Sequence, residues 1–213
     1  DVHQQTEVEG LYVADASVKS LGSWSAAQLR QPTGIATHGT DIWIVDKGTD
    51  TVYRFNNAAG VTAGSLKANS SFKLAKTNAM PEGIATDGTK MWIVNSGSPD
   101  RVYVYNMAGT SLGYWNIDAT NVSPTGITID PTGASQSIWI VDISKDRVYE
   151  YANARGWTSG NRKGTFFALA PGNTSPQDIA DPDGSLRTMT ADLTSGADVT
   201  PAGGSGIKTG RLA

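Results

Sequence analysis

The chain of 213 residues contains no cysteine, so disulfides and thiolate-held metals are excluded. Histidine is almost absent too: His3 and His38 are the only two. No apolar run approaches the roughly 18 residues that a membrane helix needs. Charge is scarce, at 17% of residues with a net value of −3, which leaves no basic footprint for nucleic acid and none for an anionic membrane surface. No Gly-x-Gly-x-x-Gly, P-loop or zinc spacing occurs, and no Ser-His-Asp set can be assembled. A long helical pattern is missing as well, since "SAAQL" and "YANAR" are short and fall where strand or loop is needed.

What is present is a turn-rich composition, with 24 glycines and abundant Thr, Ser and Asn beside 38% hydrophobic residues. That is enough apolar material for a core and favours an all-β domain. The first residue is Asp1, and the composition resembles that of bacterial secreted modules. The expectation is a secreted or cell-surface protein from which a signal peptide or an upstream region has been removed.

The organising feature is a repeat. "QPTGIATHGTDIWIVDKGTDTVYRF" starts at Gln31, "MPEGIATDGTKMWIVNSGSPDRVYVY" at Met80 and "SPTGITIDPTGASQSIWIVDISKDRVYEY" at Ser123. Aligned on Pro-x-Gly-Ile, the anchors are Gly34, Gly83 and Gly126, with Asp178 of "SPQDIADP" in fourth place, at spacings of 49, 43 and 52 residues. A period of that size carrying several short strands predicts a β-propeller blade.

Each unit divides into four strands. Strand a is "GIAT" or "GITI"; strand b is "IWIVD" or "MWIVN"; strand c is "TVYRF", "RVYVY" or "RVYEY". Strand d carries one aromatic, Trp24, Phe72, Trp115 or Phe167. Strand b is apolar on both faces, as a strand sandwiched between neighbouring blades should be. The a–b turns "HGT" and "DGT" are hairpin signals.

"LYVADASVKSLGSW" (Leu11–Trp24) aligns without a gap to "VYVYNMAGTSLGYW" (Val102–Trp115), so the chain enters in mid-blade. The propeller region is then 1–181, with three full blades and a split or truncated one, and 182–213 is a Gly/Pro/Ser/Thr-rich tail or linker. Two architectures follow: a small ring of four blades, closed by the two ends, or an arc of a larger propeller whose open blade edges self-associate.

The pattern Pro-x-Gly-Ile-Ala-x-Asp-Gly, a strand ending in Val-Asp, then Arg-Val-x-x-Tyr, resembles NHL-type propeller repeats. It is similar to the wider superfamily of gluconolactonases, arylesterase-like lactonases and virginiamycin B lyase. With Trp in strand b and "SLGSW"-like d strands it looks most like repeats of large secreted bacterial proteins. The resemblance spans Leu11 to Ala180. It implies the fold, and a choice between enzyme, binder and scaffold.

Two candidate sites follow. The start of strand a and the end of strand b share one face of a propeller, which places Glu82 near Asp46, Asn95 and Asp142. The resemblance to lactonases implies a divalent metal held at such places, and oxygen ligands suit Ca²⁺ or Mg²⁺. Such a metal would polarise a lactone carbonyl and activate water. Against this, Asp46, Asn95 and Asp142 recur at one repeat position, where an Asx side chain caps the b–c turn. Only Glu82 departs from its repeat mates, Thr33 and Thr125. The second candidate is His38, at the a–b turn on the opposite face, as a general base or, more simply, as a solvated turn residue. Trp43, Trp92 and Trp139 read as core rather than as a stacking platform for sugars.

The reading favours a non-enzymatic binding or scaffold module with no required cofactor, whose partner is a protein or a glycan. Recognition would use the loops Lys67–Met80, Asn116–Val122 and Ser135–Ser137. The alternative is a metal-dependent lactone or ester hydrolase, with a lyase built on His38 ranked last.

Overall fold

In a computed structural model of the chain, residues 21–181 and 187–190 are described. His3, the strand expected from Leu11 and the tail beyond residue 190 lie outside them. Fourteen strands form three four-stranded antiparallel sheets and one two-stranded sheet. The first sheet holds β1 (Pro32–His38), β2 (Asp41–Asp46), β3 (Thr51–Phe55) and β4 (Ser70–Lys73) in that order. The second holds β5 (Pro81–Thr86), β6 (Lys90–Asn95), β7 (Arg101–Asn106) and β8 (Ser111–Asn116). The third holds β9 (Pro124–Ile129), β10 (Ile138–Asp142), β11 (Arg147–Tyr151) and β12 (Thr165–Ala168). A hairpin of β13 (Pro176–Ala180) and β14 (Arg187–Thr190) begins a fourth. The described residues form an open run of propeller blades, and β14 lies within the stretch read as tail. Among the described residues one turn of 3-10 helix, Ala154–Gly156, is the only helical element.

Alternation along strand b builds the core. Trp43 and Val45 face the second blade, where they meet Ile84, Met91 and Ile93. Trp92 and Val94 face the third, against Ile127, Ile129, Ile138 and Ile140. Successive side chains of a strand point to opposite faces, so each blade presents Trp-x-Val forward and Ile-x-Ile or Met-x-Ile backward. Trp92 is fully buried and Trp43 nearly so, whereas Trp139, which faces the two-stranded sheet, is only partly covered.

Inner strands touch at the glycine anchors. A methyl group built on Gly34 would come 2.8 Å from Cα of Gly83, and one on Gly126 would come 2.6 Å from Cα of Asp178. Only glycine permits that approach. Every inner strand also breaks register between its proline and its anchor, in the manner of a β-bulge. The bulge re-aims the intervening residue toward a neighbouring blade. Thr33 donates to the carbonyl of Pro81 at 2.8 Å, and Thr125 donates to that of Pro176 at 3.3 Å.

The outer edge is held by aromatic pairs. Trp24 packs on Phe55 at 5.1 Å between centroids, Phe72 on Tyr105 at 5.5 Å and Trp115 on Tyr151 at 5.0 Å. Trp24 thus sits as the strand-d aromatic of a preceding blade. Its neighbour Ser25 makes a parallel bridge to Ser65, and Asn116, at the same repeat position, makes one to Asn161. Both bridges are possible because the c–d connections of the first and third blades are long, 56–69 and 152–164. That of the second blade, 107–110, is a bare turn.

Candidate functional site

The face where inner strands start carries Asp46, Asn95, Asp142 and Glu82. The register puts Asp46 opposite Pro32, Asn95 opposite Pro81 and Asp142 opposite Pro124, so each Asx closes strand b beside the start of strand a. Asp46 is buried and accepts from the amides of Arg30 at 2.6 Å and Gln31 at 2.8 Å, and from the hydroxyl of Thr49. Asn95 Oδ1 accepts from the Met80 amide at 2.7 Å. Asp142 accepts from the amides of Val122, Ser144 and Lys145 and from the Ser144 hydroxyl, at 2.8 to 3.0 Å. Each of the three therefore ties the incoming d–a loop to the end of strand b, and Asp46 and Asp142 also cap the b–c turn.

Glu82 is the bulged residue of β5. Its Oε1 meets Lys47 Nζ of the first blade at 2.5 Å, both side chains being about one-fifth exposed. The pair joins two blades across 35 positions of sequence. Lys47 was not singled out from the sequence. The signal was there in one form: a lysine follows strand b only in the blade before the one whose bulge is a glutamate. Among the described residues no three or more His, Asp or Glu side chains are grouped as a metal would need. A Ca²⁺ or Mg²⁺ ion at Glu82 would have to displace Lys47.

His38 ends β1 and is exposed, with its ring against Gly88 of the next blade. On that same face Arg155 reaches from the third blade to Asp87 of the second at 2.9 Å, and its guanidinium lies 5.6 Å from the Trp92 ring centroid. Partial burial alone would raise Asp87. Hydrogen bonds from Thr89, the Lys90 amide and Arg155 outweigh it and hold the carboxyl down at about 2.

A groove of about 500 Å³ opens between the second and third blades. Its walls are the b–c turn at 97–100, the loop after β8 and the long c–d connection at 161–163. Asp100, Asp118, Asn116, Asn161, Arg162 and Lys163 supply its polar groups. Lys163 lies 3.7 Å from Asp118, Asn116 donates to Asn161 at 2.6 Å, and Arg162 stacks over Trp157 at 4.5 Å. Burial opposes ionisation of Asp118, yet hydrogen bonds from Thr120 and the Gly164 amide, with the charge of Lys163, lower its pKa. Asp100 is raised by burial, with a smaller contribution from the charge of Asp142. The groove pairs acids with bases and offers amides to a polar ligand. Of the expected loops, Asn116–Val122 contributes to it, and the 161–163 wall was not foreseen.

Asp178 stands where the other blades have glycine. Burial raises its carboxyl to about 6, with slight relief from the Ile179 amide. The native state then holds this proton more tightly than the unfolded chain. Its contribution favours folding at and below about pH 4 and is lost as pH rises through about 6, remaining lost above. The full effect is about 3 kcal/mol at most. Asp178→Asn should remove that slope. Urea unfolding should find the variant more stable than the parent at pH 8 and equal to it at pH 4; equal stability at both would place the carboxyl in solvent.

No family model and no curated protein matches the chain. Solved structures do match. Over 88% of this chain and 49% of the other, hydrazine synthase of Kuenenia stuttgartiensis is similar at 12% identity and a TM-score of 0.54. A catalytically inactive virginiamycin B lyase from Staphylococcus aureus, crystallised with quinupristin, is similar at 16% identity over 82% of this chain and 54% of that one, with a TM-score of 0.53. Glutaminyl cyclase of Myxococcus xanthus is similar at 7% identity over 82% and 71%, with a TM-score of 0.56. The chain spans about half the length of the first two. These likenesses show the propeller fold.

Proposed function

We propose that the chain is a non-enzymatic binding or scaffold module of NHL-like blades in a secreted or cell-surface bacterial protein. Its loops engage a protein or a glycan. One observation carries this reading: the polar groups on the face where propeller enzymes would place a metal are already committed. Asp46, Asn95 and Asp142 are bonded to loop amides, and Glu82 is paired with Lys47. A metal there would compete with those amides for the same oxygens, and buried donors left unmatched are costly. The groove beside Asn116 and Arg162 fits recognition, since its hydrogen-bonding groups vary from blade to blade while the tying Asx residues repeat.

The test is turnover of γ-butyrolactone and p-nitrophenyl acetate by pure protein, with added Ca²⁺ and with chelator. The expected rate equals that of buffer in both. Turnover that needs Ca²⁺ and vanishes in Glu82→Gln and Asp142→Asn, with both variants still folded by circular dichroism, would establish the hydrolase instead.

A further inference from the structure

The junction between blades follows one rule, and the two ends of the described chain leave its two halves unmatched. At each internal junction the residue two after the anchor of one inner strand faces forward, and the isoleucine one after the next anchor faces back to meet it. Ala36 clusters with Ile84, and Ala85 with Ile127. Thr128 faces β13, where its hydroxyl accepts from the Asp181 amide. The isoleucines so covered, Ile84, Ile127 and Ile179, are 4%, 3% and 3% exposed. Ile35 occupies the same place in the first blade and is 54% exposed. Pro32 is exposed as well, where Pro81, Pro124 and Pro176 are buried. At the other end Ala180, the forward-facing residue of β13, is exposed, where Ala36 and Ala85 are buried.

The outer strands tell the same story. Trp24 and Ser25 rest on the first blade as the end of a strand d, with the contacts of Trp115 and Asn116, yet among the described residues no inner strand lies beside them on Ile35. Among the described residues the hairpin β13–β14 is an inner pair bonded to no further strand. One end carries the outer edge of a blade and the other carries the inner half.

We propose that the chain associates head to tail with a second copy of itself, β13 of one copy docking on the Ile35 face of the other. The interface is the junction already built three times within the chain: Ala180 would cover Ile35 as Ala36 covers Ile84. It is heterologous, so both junctions must form for a pair to close. Two copies joined this way hold six four-stranded blades and two β13–β14 hairpins, each set beside Trp24 of the other copy, within the range in which propellers close.

The experiment uses the whole chain at micromolar concentration in sedimentation velocity. The parent should run as a dimer. Ile35→Lys and Ala180→Asp should each run as a monomer, because each buries an unpaired charge at the junction and weakens association at least about tenfold. Both side chains are exposed in the single copy, so each variant should melt as the parent monomer does. Mixed in equal amounts, the two variants should dimerise again, since one junction is then unaltered and the other sets Lys against Asp. A second readout avoids charge. As there is no native cysteine, Ile35→Cys and Ala180→Cys chains treated with a short bismaleimide should cross-link to each other in a mixture, and neither should cross-link alone. A monomeric parent overturns the proposal. So does a mixture that stays monomeric, or cross-linking of Ile35→Cys to itself, which would mean a symmetric contact.

Discussion

Trp92→Ala should lower stability by roughly 3–5 kcal/mol, as large-to-small changes in a core do. Trp92 is 0% exposed and stands at the junction of the second and third blades. Val94, Val102 and Val104 flank it on its own sheet, and the isoleucines of the third blade cover it. Two stacked sheets cannot collapse into the space an indole leaves without breaking their own ladders, so the cavity stays and its full cost is felt. Arg155 loses the ring beneath its guanidinium as well. The order of effect should be Trp92, then Trp43, then Trp139, following their burial. Urea unfolding followed by circular dichroism checks this. At 2–4 °C per kcal/mol the melting point should fall by on the order of ten degrees. An unchanged melting point would put these rings on the surface and restore the sugar-platform reading.

Asp142→Ala should cost roughly 2–4 kcal/mol, because three amides and a hydroxyl lose one buried acceptor together. Asp142→Asn should be milder. The second blade supplies the precedent, since Asn95 at that position holds its loop through Oδ1 alone. Thermal melts with Ca²⁺ and with chelator complete the test. The parent and both variants should be indifferent to either addition. If Ca²⁺ raises the melting point of the parent and Asp142→Ala erases that rise, the carboxylate is a metal ligand and not a loop tie.

How far the sequence disclosed this can be judged residue by residue. Gly34, Gly83 and Gly126 were visible as anchors, because an inner strand needs glycine wherever another backbone approaches, and the need recurs in the three four-stranded blades. Strand b was visible because burial on both faces leaves an unbroken apolar run. Contacts that occur once were hidden. Lys47 meets Glu82, and Arg155 meets Asp87 across 68 positions, and no period announces either pair. The bulge was hidden as well, since Pro-x-Gly specifies it only through backbone geometry. β14 falls in the stretch read as tail because "RTMT" lacks the Trp and the apolar run of its counterparts. The groove depends on the folded path of 152–164, a stretch whose only apparent signals were turn residues.

The alternation of long and short c–d connections sets which blade junctions are crossed by backbone bonds. Backbone bonds cross from one blade to the next where a long connection grips the preceding strand d: Leu66 to Ser25 at 2.7 Å and Arg162 to Asn116 at 2.9 Å. Between the first and second blades the grip is replaced by the ring of Phe72 against Gly109. The first and second blades are instead joined through side chains, Lys47 to Glu82 and the Thr33 hydroxyl to the Pro81 carbonyl.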